Sequence, residues 1–177
     1  ARQPAPEAEA QKIDLLQVIH STISMLKYQL EQENIELIID GEGRFEILGG
    51  FNELEQVFTN LLVNARDAIL SAKRKGRIAI SLTRQPKSID VRVSDNGVGM
   101  KKEILSRIFD PFFTTKDVGS GTGLGLAVTQ SILQKHNCQV KVESQEGAGS
   151  SFILAFPSAE RHSTGKQESY EKEDIRH

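Results

Sequence analysis

Apolar positions recur along this chain at two periods, and the two periods come in blocks. From Leu15 to Glu33 the residues Leu15, Ile19, Ile23, Leu26 and Leu30 stand at helical spacing. Phe51 to Ser71 carries the strongest helical pattern, with Phe51, Leu54, Phe58, Leu61, Leu62, Ala65 and Ile69 on one broad face. Between them, "IELIID" and "RFEIL" read as short strands joined by "GEG". "RIAISL" and "IDVRVSD" read as strands on either side of a "RQPKS" turn, and "KKEILSRIF" as a short helix. Leu124 to Lys135 reads as a further helix, and "QVKVES" and "SSFILAFP" as a closing pair of strands. Strands and helices segregate instead of alternating as strict βαβ units, which predicts an α+β domain with helices on one face of a sheet.

The ends carry neither period. "ARQPAPEAEAQ" is rich in Pro, Ala and Glu, and the stretch from Ser158 to His177 is polar and charged. The expected organisation is therefore a linker or disordered N-terminus over 1–12, one ordered domain over 13–157, and a disordered polar tail over 158–177. The chain starts at Ala1 and reads as a piece of a longer protein.

Composition narrows the function classes. With 177 residues, 38% of them hydrophobic, the chain can bury one sizeable core. A formal net charge of -2 makes no electrostatic case for nucleic acid or an anionic membrane. Cys138 is the only cysteine, so neither an intrachain disulfide nor a thiolate metal cluster can form. No apolar run approaches the ~20 residues of a membrane helix, and no signal peptide is visible.

Candidate chemistry begins with "DPFFTTKDVGSGTGLGLAV", Asp110 to Val128, where Gly119, Gly121, Gly123 and Gly125 alternate with other residues just before a helix. Such a run can hold phosphate through backbone N–H groups and the helix N-terminus; it is equally the composition of an ordinary linker. It lacks the Gly-Lys-Ser/Thr ending of a P-loop, and no register fits a dinucleotide fingerprint. On the strongest helix, Asn60, Asn64 and Asp67 fall within about a 60° arc beside the apolar face, at roughly 100° per residue, and Glu53 joins the stripe. Asparagine costs helix propensity, so two on one stripe call for a reason. Aligned amide and carboxylate oxygens suit a hard cation such as Mg²⁺, which takes its remaining ligands from phosphates and water; a solvated face is the alternative. "SDNGVGM", Ser94 to Met100, sets Asp95 at a strand end with Gly97 and Gly99 after it. An aspartate there can accept from the exocyclic amine of a purine, or the segment is a plain Asp-Asn-Gly turn. Finally, "FDPFFTTK" gathers Phe109, Phe112 and Phe113 on a polar loop, the mark of a docking lid or of a satellite hydrophobic cluster.

Together and in this order, these pieces resemble the GHKL ATP-binding superfamily, and within it the catalytic domain of sensor histidine kinases. "NLLVNARDAI" resembles the N box, "DNGVGM" the first glycine box, "FDPFFTTK" the F box and "GSGTGLGLAV" the second glycine box. The resemblance runs from about Leu15 to Pro157. It implies a two-layer α/β sandwich, a mixed and mostly antiparallel sheet with helices on one face, and ATP and Mg²⁺ as cofactors. It implies Asn64 as the Mg²⁺ ligand with Asn60 in support, and Asp95 as the acceptor for adenine N6. Gly97 and Gly99 would shape the adenine pocket. Gly119, Gly121, Thr122, Gly123, Leu124 and Gly125 would form the lid over the phosphates. Lys116 would reach the γ-phosphate, which with Asn60 makes the catalytic pair. Ser151 or its neighbour Ser150 would assist Asp95 through a water.

The pattern departs from many histidine kinases at Asp67, where a basic residue is common three places after the second N-box asparagine. "NARDA" resembles the nitrogen-regulation-type branch, in which Lys116 would take over the phosphate contact. Arg66 lies on another side of the helix.

Members that hydrolyse ATP place a glutamate four residues before the metal-binding asparagine. Here that residue is Asn60, and an amide cannot accept a proton at neutral pH. Transfer to an imidazole, an intrinsically good nucleophile, fits better. The rivals are a GHKL-type ATPase and an interaction module that no longer binds nucleotide. His20, His136, His162 and His177 all lack a His-Glu-x-x-x-Pro context, so the phospho-acceptor is expected on a separate dimerisation and phosphotransfer domain, with a response regulator downstream. The chain alone is expected to be a monomer, not bound to membrane, with little self-phosphorylation, in the cytoplasmic part of a parent that could be membrane-anchored.

Overall fold

The computed structural model describes residues 10–116 and 121–159. Gly119, His162 and His177, and with the last two nearly all of the expected polar tail, lie outside the described residues.

The main sheet has five strands: β2 (Ile35–Asp40), β4 (Gly76–Arg84), β5 (Ser88–Asp95), β6 (Gln139–Gln145) and β7 (Gly149–Pro157). Their order is β2-β4-β5-β7-β6. β2 runs parallel to β4 and every other pairing is antiparallel. Strand side chains alternate between the two faces. Ile78, Ile80 and Leu82 therefore form one buried row with Ile89, Val91 and Val93, and with Phe152, Leu154 and Phe156.

The long helices α1 (Leu15–Gln32) and α2 (Phe51–Ala72), with the shorter α4 (Gly125–Lys135), cover that face. α2 supplies the centre of the core through Leu54, Val57, Phe58, Leu61, Leu62, Ala65 and Ile69, all buried. Burying each of the larger of these is worth roughly 1.5–3 kcal/mol. The fold is thus the mixed, mostly antiparallel two-layer sandwich that the resemblance implies, with the helices on one face as the pattern predicts.

Three elements differ from the expectation. The two strands joined by "GEG" do not share one sheet: β2 joins the main sheet, whereas β3 (Glu46–Gly49) pairs with β1 (Gln11–Asp14) in a separate two-stranded sheet. Asp14 explains the diversion. Its carboxylate accepts from Leu16 N at 3.1 Å, capping α1, and from Phe45 N at 3.0 Å, while Leu15 N donates to Phe45 O at 2.9 Å. Second, β1 begins at Gln11, inside the stretch expected to be unstructured, because Ile13 has Ile47 as its partner. Third, "KKEILSRIF" is helical only as α3 (Lys102–Leu105), with the turns after it burying Ile108.

Candidate functional site

Two adjoining cavities open between α2, the β5 end and the segment leading into α4. The larger, about 530 Å³, is walled by Asp95 and Ser150 from the sheet, Asn64, Asp67 and Ala68 from α2, and Gly99 and Met100 from the β5–α3 loop. The smaller, about 280 Å³, is walled by Asn60, Asn64, Phe113, Gly121, Thr122, Gly123 and Gly125. Asn64, Met100, Thr115, Lys116 and Leu126 belong to both, so the cavities share a wall.

The larger end is a continuation of the buried sheet row. Register places Asp95 opposite Ser150 on one side and Ile78 on the other, so a carboxylate and a hydroxyl occupy places that the same strands elsewhere give to Val93 and Phe152. Burial pushes the Asp95 carboxyl above the usual carboxylate range; the backbone N–H groups of Gly97 and Ser150 oppose that shift. Gly97 N donates to Asp95 Oδ1 at 2.8 Å. Gly97 lines neither cavity; a Cβ there would stand 2.6 Å from the Ala68 carbonyl carbon, so its absence lets the loop pack on α2.

The choice between the two serines is decided by parity. Ser150 faces the cavity, and its hydroxyl lies 2.9 Å from Ser144 Oγ. Ser151 points to the opposite face of the sheet and bonds Ser94 Oγ at 2.7 Å, so the assignment of Ser151 to the site is corrected to Ser150. Ser144 is a supporting residue the sequence reading missed. It accepts from Met100 N at 2.8 Å and donates to Gly149 O at 3.0 Å, holding the loop against β7. No local pattern marks it.

The smaller end is built from a helix terminus. α4 has Leu124 at its N-cap with no side-chain cap bond, and Gly125 and Leu126 of its first turn line the cavity. The N–H groups of such a turn favour an anion. Leu124 itself lines neither cavity: it serves as the cap residue, not as a wall of the site. Thr122 does line it, and its Oγ1 accepts from Leu124 N at 3.2 Å. Gly123 has φ +70°, and a Cβ there would stand 2.4 Å from the Phe112 carbonyl carbon. Phe112 N in turn donates to Gly123 O at 2.9 Å. Phe109 and Phe113 pack on the core, Arg107 lies 4.6 Å from the Phe113 ring centre, and Phe112 stays exposed.

Asn60 ties the two helices together. Its Nδ2 donates to Gly125 O at 3.1 Å and to Thr129 Oγ1 at 3.2 Å. A carbonyl can only accept, so the amide orientation is forced and Oδ1 is left for other ligands. Thr129 was missed as well, although a threonine in the stripe Leu126, Thr129, Leu133 is a readable signal; it is fully buried. Asn64 is brought to the junction of the cavities. Two amide oxygens are a partial shell for Mg²⁺, and among the described residues no group of three or more His, Cys, Asp or Glu could hold a metal. A hard cation here would depend on phosphate oxygens and water for its other ligands, as Mg²⁺ commonly does. Asp67 is held by Arg66 Nη1 at 3.0 Å and by Lys116 Nζ. Arg66 lines neither cavity.

Residues 49–160, more than half of the chain, match the family described as histidine kinase-, DNA gyrase B-, and HSP90-like ATPase. The chain belongs to this family. The two-component sensor PprA of Pseudomonas aeruginosa is 36% identical over 156 residues, 85% of this chain and 17% of PprA. Sensor histidine kinase ZraS of Escherichia coli is 34% identical over 148 residues, 83% of this chain and 31% of ZraS. Among solved structures, the catalytic domain of histidine kinase ThkA in a nucleotide-free form superposes with a TM-score of 0.73 at 26% identity, covering 85% of this chain and 98% of that domain. The chain spans less than half the length of the curated relatives it matches. Within the histidine kinase-, DNA gyrase B- and HSP90-like ATPases, this chain is thus homologous to the catalytic domains of sensor histidine kinases. No helix among the described residues is long and apolar enough to cross a membrane.

Proposed function

We propose that the chain binds Mg-ATP across the two cavities and transfers the γ-phosphoryl group to a histidine on a dimerisation and phosphotransfer domain of its parent protein. The observation that carries this reading is the pairing of opposite chemistries across one shared wall. A half-buried carboxylate stands at one end, an uncapped helix N-terminus with Asn60 stands at the other, and Asn64 and Lys116 lie on the wall between them. Asp95 would accept from the adenine amine, with Ser150 beside it. Gly99 would let the loop close that end. Asn64 and Asn60 Oδ1 would hold the Mg²⁺, whose charge offsets that of the phosphates. Gly121, Thr122, Gly123 and Gly125, with Gly119 from outside the described residues, would cover the phosphates, and Lys116 would meet the terminal one.

Transfer to imidazole is favoured over hydrolysis because Asn60 has no basic atom to activate water: its Nδ2 donates to Gly125 O and Thr129 Oγ1, and its Oδ1 is an amide oxygen that takes no proton at neutral pH. The histidines among the described residues are poor acceptors. His136 uses both ring nitrogens, with Gly50 N donating to Nε2 at 3.0 Å and Nδ1 lying 2.7 Å from Ile132 O. His20 lines neither cavity. The downstream partner would be a response regulator, and the site would work on the cytoplasmic side. Membership of the nitrogen-regulation-type branch is part of this reading, resting on "NARDA" and Lys116.

Calorimetric titration with ATP and with GTP, each with and without Mg²⁺, tests the binding half. Binding selective for ATP and altered by Mg²⁺ is expected; equal binding of GTP would remove Asp95 from the adenine contact. Labelled ATP supplied together with a separate histidine-bearing domain tests transfer. Acid-labile label on that domain is expected, whereas steady phosphate release by this chain alone, lost in Asn64→Ala, would mark an ATPase instead.

A further inference from the structure

An acid on the wall of an anion site is a conflict, because its field repels the ligand. Asp67 is such an acid, and its partners show how the conflict is contained. Its Oδ1 accepts from Arg66 Nη1 at 3.0 Å, and its Oδ2 accepts from Lys116 Nζ, 49 residues away in sequence. Arg66 is itself anchored by Glu33, the C-cap residue of α1, through Nε to Oε2 at 2.6 Å and through Nη2 to Oε1. Four charges of alternating sign therefore run from the end of α1 to the cavity wall: Glu33, Arg66, Asp67 and Lys116. Arg66 and Glu33 hold each other ionised, the guanidinium raised and the carboxyl lowered, chiefly by their shared hydrogen bonds. Asp67 lines the larger cavity, and Lys116 lines both.

We propose that Asp67 is an internal competitor for Lys116, a carboxylate that occupies the ammonium until the distal phosphates of a nucleotide take it over. This rests on the nucleotide reading above and adds a regulated step to it. An ammonium is a compact point charge on a flexible stem, so it can change partners without moving the backbone. A distal phosphate carries more charge and more acceptor oxygens than a carboxylate already shared with Arg66, so the phosphate wins the exchange. Asp67 does not become an orphan, because Arg66 stays on Oδ1. The exchange still sacrifices the Asp67–Lys116 pair, and that loss is subtracted from the affinity for ATP.

The sign of one coupling distinguishes this role from a positioning one. If Asp67 competes, Lys116 contributes more to ATP binding once Asp67 is gone. If Asp67 aims Lys116 at the phosphates, Lys116 contributes less. Simple repulsion between Asp67 and the phosphates acts whether or not Lys116 is present, and gives no coupling.

The experiment is a double-mutant cycle on Mg-ATP affinity by calorimetry, with the unaltered chain, Asp67→Asn, Lys116→Met and the double variant, each checked by thermal unfolding. Asp67→Ala supplies the same cycle if the asparagine variant folds poorly. Asp67→Asn is expected to tighten ATP binding. The loss caused by Lys116→Met is expected to be about two- to fivefold larger in the Asp67→Asn background, the range for a partly exposed ion pair. ATP binding with coupling of zero or of the opposite sign overturns this inference alone. No ATP binding by the unaltered chain overturns the nucleotide reading and this inference with it.

Discussion

The two ends of the site are made by different means. The larger cavity is floored by the sheet: Asp95 and Ser150 are cross-strand partners at the end of a row whose other members are core residues. The smaller cavity is made by a helix terminus and a loop, held through a few long-range contacts: Asn60 to Gly125, Phe112 to Gly123, Lys116 to Asp67. A ladder fixes side-chain direction by pairing alone, so the first end is preformed with the fold. Loop contacts can exchange partners, so the second end can answer to what binds it. Under the proposed function, a site that recognises one base and then handles a changing phosphate chain would gain from both kinds of construction.

The comparison can be broken first at the rigid end. Asp95→Asn is expected to weaken ATP binding by roughly 100-fold, because an amide N–H facing the adenine amine leaves buried donors unpaired. Titration calorimetry measures it, and a change below tenfold would place the base elsewhere. At the exchangeable end, Gly123→Ala forces a Cβ against the Phe112 backbone at positive φ. A cost of about 1–2 kcal/mol there, felt as roughly tenfold weaker ATP binding with little change in melting temperature, is expected. If the rigid end were to lose stability instead, seen by hydrogen exchange in β5 and β7, the two ends would not be separable.

Parity gives a finer test. Ser150→Ala is expected to weaken ATP binding by about fivefold, and Ser151→Ala by less than twofold, since a single hydrogen bond is worth about 1 kcal/mol. Equal effects would mean that the register is not the discriminator. The smallest effect concerns stability. The folded Asp95 carboxyl is raised above its unfolded value by burial, so the folded chain holds that proton more tightly. Its contribution is therefore fully present below the unfolded value and is lost as pH rises through the folded one. Asp95→Asn should remove that segment of the acid-side stability curve of the nucleotide-free chain. Chemical denaturation at several acidic pH values, for both chains, measures the difference.

Much of the fold was legible because it rests on local periods. α1 and α2 were read within a residue or so, and the core stripe of α2 from Leu54 to Ile69 is buried as its spacing implies. The strands of the main sheet followed from alternation. The pairing of β2 and β3 shows the limit: two adjacent strands joined by a glycine-rich segment do not reveal which strand each one pairs with. Here a carboxylate 31 residues away from Phe45, on Asp14, turns the chain toward β1. Of the site, the residue types that announce chemistry were visible, since Asn60, Asn64 and Asp95 depart from what a helix stripe or a core strand favours. Ser144 was invisible because a serine in an exposed strand is ordinary until its partners are known.

What the sequence by itself determined is the set of elements, the boxes that carry the family likeness, and the presence of amide oxygens on one helix stripe, an acid at a strand end and a glycine-rich helix entry in one chain. Those depend on composition and on spacing over a few residues. Only the tertiary structure decided which of two adjacent serines faces the cavity, which strand each β segment pairs with, and that Lys116 rests on Asp67. Strand parity is set by a partner strand far along the chain, and a charge on a flexible side chain takes the partner that folding brings within reach; neither is contained in local order.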